Sequence, residues 1–569
     1  MLLRKVFLIL LLAPLYALAQ NRYDVVIDEI MADPTPQISL PSNEWIELKN
    51  VSANPINLQN WRIGDANGQS GPMPNFILQP DSFVIVCTGS AVAAMQNYGR
   101  VIAVTSFPSL DNDADQLFLK TNSGLTIHAV SYSVSWYQNT VKSDGGWTLE
   151  MIDTKNPCAG VSNWKASTDT RGGSPGVKNS VDAVNNDQSG PSVKNAYALD
   201  NLNIVIVFDE SLDSLKGATQ VNYSIDGGLS IQSATSLSPL FDKIQLRLTT
   251  AMQANTVYNI TVNNVTDCKN NTIGSRNKTK IGLPVDAVAN EIVINEILFN
   301  PKSGGSDYVE LYNRSNKIFD ANKMYVANRN TSGAISSTRL ISATPWYIFP
   351  GDYLVVTEDA ATLALDYMVQ NPDAVSVLSS LPSFPDDEGD VIVLNFQGAV
   401  VDEVKYKDDW HFALLNNAEG VSLERIDPDA ESQNPDNWHS AASTAGYGTP
   451  TYKNSQYKLV QAISATVEVT PKVFSPDNDG RDDIAKVQYQ TTEPGYIANI
   501  TIYDANGRPV RSLVKNGTLG LQGYWVWDGL DDKRLKLPVG TYILFTEIFN
   551  LNGKKEVFKN VIVLARPLR

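Results

Sequence analysis

One stretch of this chain is used twice, and no other feature constrains its folding as strongly. Near the start it reads Ile27-Asp28-Glu29-Ile30 and then Glu44-Trp45-Ile46-Glu47-Leu48-Lys49-Asn50. Past the middle it reads Ile294-Asn295-Glu296-Ile297 and then Asp307-Tyr308-Val309-Glu310-Leu311-Tyr312-Asn313. The correspondence continues in one order. Asp115-x-Leu117-x-Leu119 answers to Asp390-x-Ile392-x-Leu394, and Val130-x-Tyr132 to Val404-x-Tyr406. Leu149-Glu150-Met151 answers to Leu423-Glu424-Arg425, Asn163-Trp164 to Asn437-Trp438, and Gly173-Ser174-Pro175 to Gly448-Thr449-Pro450. Landmarks kept in order over such lengths mean two copies of one domain, 21–178 and 290–453, with the rest of the chain placed around them.

A chain of 569 residues is too long for a single core. Only 19% of it is charged, Gly and Pro are plentiful, and its apolar residues stand in short alternating runs. That pattern predicts short strands and many turns, an all-β chain of tandem immunoglobulin-like sandwiches. Between the copies, Asn203–Phe208, Tyr223–Ile225, Ile244–Leu248 and Tyr258–Val262 alternate in this way, so 186–285 reads as another antiparallel sandwich. After the second copy, 464–569 reads as a fourth, in which Asn506-Gly507 between two alternating runs marks a hairpin. The polar stretches around Asn185–Pro191 and at Lys453–Gln456 read as linkers.

Both copies resemble the lamin-tail domain, an immunoglobulin-like β-sandwich that also occurs in bacterial secreted proteins. The resemblance rests on the opening Asn295-Glu296-Ile297, the Asp307–Asn313 strand, the Leu423-Glu424-Arg425 strand, Asn437-Trp438 and the closing Gly448-Thr449-Pro450. The first copy departs from it at Asp28, Lys49 and Met151. Residues 186–285, with Val207-Phe208-Asp209-Glu210 and Asn222-Tyr223-Ser224-Ile225, are similar to an immunoglobulin-like module of bacterial surface-layer and secreted proteins. Phe474-Ser475-Pro476, Asp479-Gly480, Trp527-Asp528-Gly529 and Gly540-Thr541-Tyr542 resemble the C-terminal domain associated with gliding motility, itself similar to a module of the flagellar hook cap protein. That resemblance implies a sorting signal for type IX secretion, and so a partner in the outer-membrane secretion machinery.

Residues 1–20 carry Arg4 and Lys5, an apolar Val6–Leu12 and a small-x-small Ala17-Leu18-Ala19, the pattern of a secretory signal peptide. No run in the sequence is long enough to serve as a transmembrane helix. The expected location is therefore secreted, outside the cell or on its surface. A net charge of −16 disfavours nucleic acid as a partner, because binding it relies on Lys and Arg displacing counterions. Of three cysteines, Cys87 lies in an apolar run and reads as a buried thiol. Cys158 and Cys268 lie in turns and, in an oxidising compartment, form a candidate disulfide across a domain boundary.

Asp477, Asp479, Asp482 and Asp483, arranged around Gly480, are candidate Ca²⁺ ligands; the competing reading is a turn in which these side chains bond their own backbone. Asp111–Asp115 and Asp386–Asp390 read as solvated loops before a strand, with the last Asp fixing the turn. Glu29/Glu47 and Glu296/Glu310 invite an acid–base reading. Alternation favours instead a structural role, at a sheet edge or against a turn backbone. Trp136, Tyr137 and Trp410 recur after matching strands and are candidate ligand-stacking aromatics if exposed, or plugs of the sandwich end if not.

With three histidines, none at a shared landmark, and no zinc, nucleophile-elbow or phosphate-loop pattern, no catalytic residues are assigned and no cofactor is required. The expected function is a non-enzymatic adhesin, binding or spacer scaffold with an unknown extracellular ligand. The alternatives are a polysaccharide- or nucleic-acid-recognition module that assists a separate hydrolase, and a metal-dependent phosphodiesterase built on the acidic loops.

Overall fold

The structure is a computed structural model that describes residues 20–415, 417–457, 465–550 and 555–566. The expected signal peptide lies outside these residues, apart from its last position. The chain forms two compact units. One runs to Met252 and takes in Tyr258–Ile281; the other comprises Gln253–Val257 and the chain from Gly282 on. Each holds one copy of the repeat and one further sandwich. The fold is all-β, and among the described residues no helix is long and apolar enough to cross a membrane.

In the first copy a six-stranded sheet runs in the order Trp164–Ala166, Leu149–Met151, Val25–Met31, Trp45–Asn50, Phe83–Thr88, Val101–Val104. Its counterpart in the second copy runs Trp438–Ser440, Leu423–Arg425, Ile292–Leu298, Tyr308–Asn313, Tyr353–Thr357, Val375–Val377. In both sheets the final pairing is parallel and the rest are antiparallel. A smaller sheet closes each sandwich: Arg62–Gly64, Ala114–Lys120 and Thr126–Ser133 in the first, and four strands built around Met324–Arg329 and Glu388–Asn395 in the second.

Strand alternation sorts the residues of the large sheet between two faces. Ile30, Ile46, Leu48, Leu149 and Met151 enter the main core of the first copy. Met31, Trp45, Ile85 and Cys87 belong to a second apolar cluster with Ala91 and Met95 of the short helical stretch that follows. The second copy repeats this, with Leu298, Tyr308 and Val355 packed against Leu363 and Tyr367. The outer face of each large sheet is therefore covered as well, and its three central strands have no solvent face.

The 186–285 region forms a four-stranded and a three-stranded antiparallel sheet, and the C-terminal region a three-stranded antiparallel sheet and a five-stranded mixed one. In the latter, Tyr496–Asp504 and Pro509–Thr518 flank the Asn506-Gly507 turn, where Gly507 has φ 78°. Cys158 and Cys268 form a disulfide within the first unit. Closing a loop across a sequence separation of 110 residues stabilises a fold by about 4–5 kcal/mol on chain-entropy grounds. Cys87 is a buried free thiol.

Candidate functional site

The feature that recurs in both copies is a ladder of three buried glutamates on the outer face of the large sheet. Glu29 stands opposite both Glu47 and Glu150 across its two neighbouring strands. Glu296 stands opposite Glu310 and Glu424 in the same way. All six are 0% exposed. Carboxyls this deep cannot remain without hydrogen-bond partners cheaply. Each of the six has a partner in the segment that closes its copy, 173–181 in the first and 448–456 in the second.

In the first copy Glu29 Oε1 accepts from Thr148 Oγ1 and from the Ser174 N–H, both at 2.7 Å. Glu47 Oε1 accepts from the Gly176 N–H at 2.6 Å. Glu150 accepts from Ser174 Oγ at 2.8 Å, Ser180 Oγ at 2.7 Å and the Val181 N–H at 3.0 Å. Three carboxyls thus pin one strap of backbone to the sheet. A Cβ on Gly173 would stand 2.7 Å from Glu29 Oε1 and 2.8 Å from Thr148 Cγ2, so only glycine lets the strap approach this closely.

The second copy repeats the strap with more donors. Glu296 accepts from Tyr308 Oη, Ser422 Oγ, the Thr449 N–H and Thr449 Oγ1. Glu310 accepts from Asn295 Nδ2 at 2.8 Å and the Thr451 N–H at 2.5 Å. Glu424 accepts from Ser455 Oγ and the Gln456 N–H, and Thr449 Oγ1 also lies 2.9 Å from Glu424 Oε1, so its single hydrogen serves Glu296 or Glu424. Burial pushes Glu29, Glu47, Glu296 and Glu310 above the usual carboxylate range and Glu424 up to about 8, and neighbouring carboxylates add to this at Glu29, Glu47, Glu310 and Glu424.

Several sequence expectations change here. The glutamates sit at the sheet centre, not its edge, and they bond strap backbone. Lys453–Gln456 is not a linker: Asn454 and Gln456 are buried, and Ser455 and Gln456 hold Glu424. Trp136, Tyr137 and Trp410 are not exposed platforms. Tyr137 is buried and donates to the Trp147 carbonyl. Trp136 and Trp410 are half-buried against Trp164 and Trp438, because the turn after each preceding strand folds the ring back over the sandwich end. The cleft beside Trp136 measures about 140 Å³, smaller than typical ligand pockets.

Asp477, Asp479 and Asp483 come together, with ligand oxygens within 4.8 Å of one another; Asp482 does not join them. Asp483 caps its own loop, accepting the N–H groups of Asp477, Asn478 and Gly480. A second acidic group, Asp187, Glu210 and Asp267, has no forerunner in the sequence reading. Burial, with Asp267 and Asp187 nearby, pushes Glu210 up to about 8. Glu150 and Glu424 were also missed as ladder members. The signal was in the repeat itself, where both follow a leucine at the same landmark.

Two regions, residues 19–133 and 286–408, match the Lamin Tail Domain family. Both matches end before Glu150 and Glu424, so the third rung and the strap lie beyond them. Among solved structures the chain is similar to the surface-layer protein SbsC, at 10% identity over 66% of this chain and 54% of that one, with a TM-score of 0.16. It is similar to a DUF4876 family protein from Bacteroides thetaiotaomicron, at 12% identity over 36% and 83% with a TM-score of 0.17. A Ca²⁺-stabilised adhesin with which an Antarctic bacterium binds ice matches at 9% identity over 95% and 99%, with a TM-score of 0.12. The chain spans about half the length of the SbsC structure, and likenesses at these scores carry no functional argument. A search of curated proteins finds no match.

Proposed function

We propose that this is a secreted, non-enzymatic modular protein of the cell exterior, a scaffold that spaces or presents sandwich domains. One observation carries this reading. The acids that recur in both copies, the natural candidates for chemistry, are fully buried and engaged in holding a strap of their own backbone. A carboxyl without solvent access cannot meet a substrate. In this reading the C-terminal sandwich is the address for export through the outer membrane, and the 477–483 loop is the place for Ca²⁺ if the chain takes one.

The test is retention of the chain from residue 21 on by insoluble polysaccharides, cell-wall preparations and DNA, with and without Ca²⁺. No retention of a folded sample supports the scaffold. Retention that is lost in Trp136→Ala or Trp410→Ala would replace it with a recognition module.

A further inference from the structure

The strand Val25–Met31 carries a β-bulge at Asp28, between the Ile27 and Glu29 pairings, and the second copy carries the same bulge at Asn295. A bulge re-aims its side chain toward the face of the next residue. At Asn295 the result is visible: its Nδ2 donates to Glu310 Oε1 at 2.8 Å and to Asn454 Oδ1 at 2.6 Å. Asn454 in turn donates to the carbonyls of Asn295 and Arg425. Asn179 donates to the matching carbonyls of Asp28 and Met151. The two frameworks are the same, but the residue at the bulge is an amide in one copy and a carboxyl in the other.

A carboxylate has no hydrogen to give. Asp28 Oδ1, Glu29 Oε2, Glu47 Oε2 and Asn179 Oδ1 are all buried acceptors without a donor, on residues no more than 6% exposed. Two of these, Glu47 Oε2 and Asn179 Oδ1, correspond to the atoms that Asn295 serves in the second copy, where both oxygens of Glu310 have donors.

We propose that Asp28 is a proton-operated clasp: folded, it holds a proton and donates it to Glu47 or Asn179, supplying one of the two hydrogens that the Asn295 amide gives, and loss of that proton loosens the 173–181 strap. The surroundings leave the proton as the means of balance. On the neighbouring strand Lys49 is the cation acting on Asp28, and it lies 3.6 Å from Asp81. Glu150, Asp182 and Asp81 oppose it. Arg171 on the strap approach is paired with Asp169, and Lys178 with Asp182. His128, on the facing sheet, accepts the Ile27 N–H through Nδ1 and is held neutral, so it supplies no charge. Burial pushes Asp28 up to about 7.

The sign follows from linkage. A carboxyl raised above its unfolded value of about 4 binds its proton more tightly folded than open, so its contribution is full below about pH 4 and is lost as pH climbs to its folded value. One proton released on opening makes the open fraction rise about tenfold per pH unit in that window.

Hydrogen exchange of the full chain, corrected for intrinsic rates, tests this from about pH 5 to pH 8. Protection of the Ser174, Gly176 and Val181 amides should fall with pH, and Asp28→Asn should remove about tenfold per pH unit of that fall below pH 7 while leaving the Ile46 and Leu48 amides protected. The reciprocal Asn295→Asp should bring the same added slope to the strap at Thr449, Thr451 and Gln456. An unchanged slope in Asp28→Asn overturns the proposal. So does a wild-type slope that vanishes on adding Na⁺ or Ca²⁺, which would make the cluster a cation site.

Discussion

The two copies solve one problem with different chemistry. Each must lay a strap across the outer face of a sheet whose centre is three glutamates wide, and each must fill the space between its two sheets beside the bulge. In the second copy a buried ion pair does the latter. Arg425 Nη2 lies 3.0 Å from Asp402 Oδ2, with the two side chains 0% and 3% exposed, and Arg425 Nε donates to the Ile294 carbonyl while Asp402 accepts the Ile294 N–H. In the first copy His128 takes the place of Asp402 and Met151 that of Arg425, and the Ile27 N–H goes to the imidazole. One copy is built on charge balanced by charge and amides. The other is built on neutral groups and a carboxyl that needs a proton. The backbone is common, so what differs is the source of hydrogens.

The sharpest way to break the comparison is at the ion pair. Arg425→Met leaves Asp402 charged and buried without its partner, and should cost about 3–5 kcal/mol by urea unfolding of the full chain. Adding Asp402→His installs the arrangement of the first copy and should return most of that loss. A double variant no more stable than the single one would mean that the two solutions are not interchangeable.

Acid should act next most strongly, and on the first copy. Burial lowers His128 to about 4 from an ordinary value of 6.5. Its unfolded form binds a proton that the folded form refuses, so its contribution is present above about pH 6.5 and is lost as pH falls toward 4, on the order of 3 kcal/mol in all. Asp28 titrates over the same range with the opposite sign, so the two slopes offset in the wild type and His128 is read by removing it. His128→Asn, whose Oδ1 can still accept from Ile27, should gain stability relative to the wild type in urea unfolding of the first unit as pH falls from about 7 to about 4.5. A difference that does not change with pH would mean that His128 carries no linkage to folding.

Much of this was legible in the sequence, and what was missed has physical reasons. Order and spacing disclosed the repeat, alternation disclosed the strands, and the alignment of His128 with Asp402 placed both at one position. A strand residue's face can be read from alternation, but whether that face meets water cannot. The glutamates were therefore left between a sheet edge and a turn backbone, and Trp136 and Trp410 between exposed rings and plugs of the sandwich end. The bulge was hidden because it changes the pairing of Asp28 without changing its neighbours. Lys453–Gln456 looked like a linker because its polar side chains resemble those of a solvated turn, whereas here they are donors to a buried carboxylate.

The smallest expected effect is the most discriminating, because its sign differs between the copies. In Glu47→Gln the new side chain keeps an oxygen for the Gly176 N–H and sets its amide against Asp28, whose Oδ1 accepts once the Asp28 proton is no longer needed, so at neutral pH the first copy should gain about 0.5–1.5 kcal/mol. In Glu310→Gln both oxygens already accept, from Asn295 Nδ2 and the Thr451 N–H, so either orientation of the amide sets donor against donor. The second copy should lose about 1–2 kcal/mol. The substitution is the same and both sites are fully buried. A loss of like size in both copies, read from urea unfolding of each variant, would mean that charge alone governs the ladder. Opposite signs require that the number of hydrogens facing each carboxyl decides.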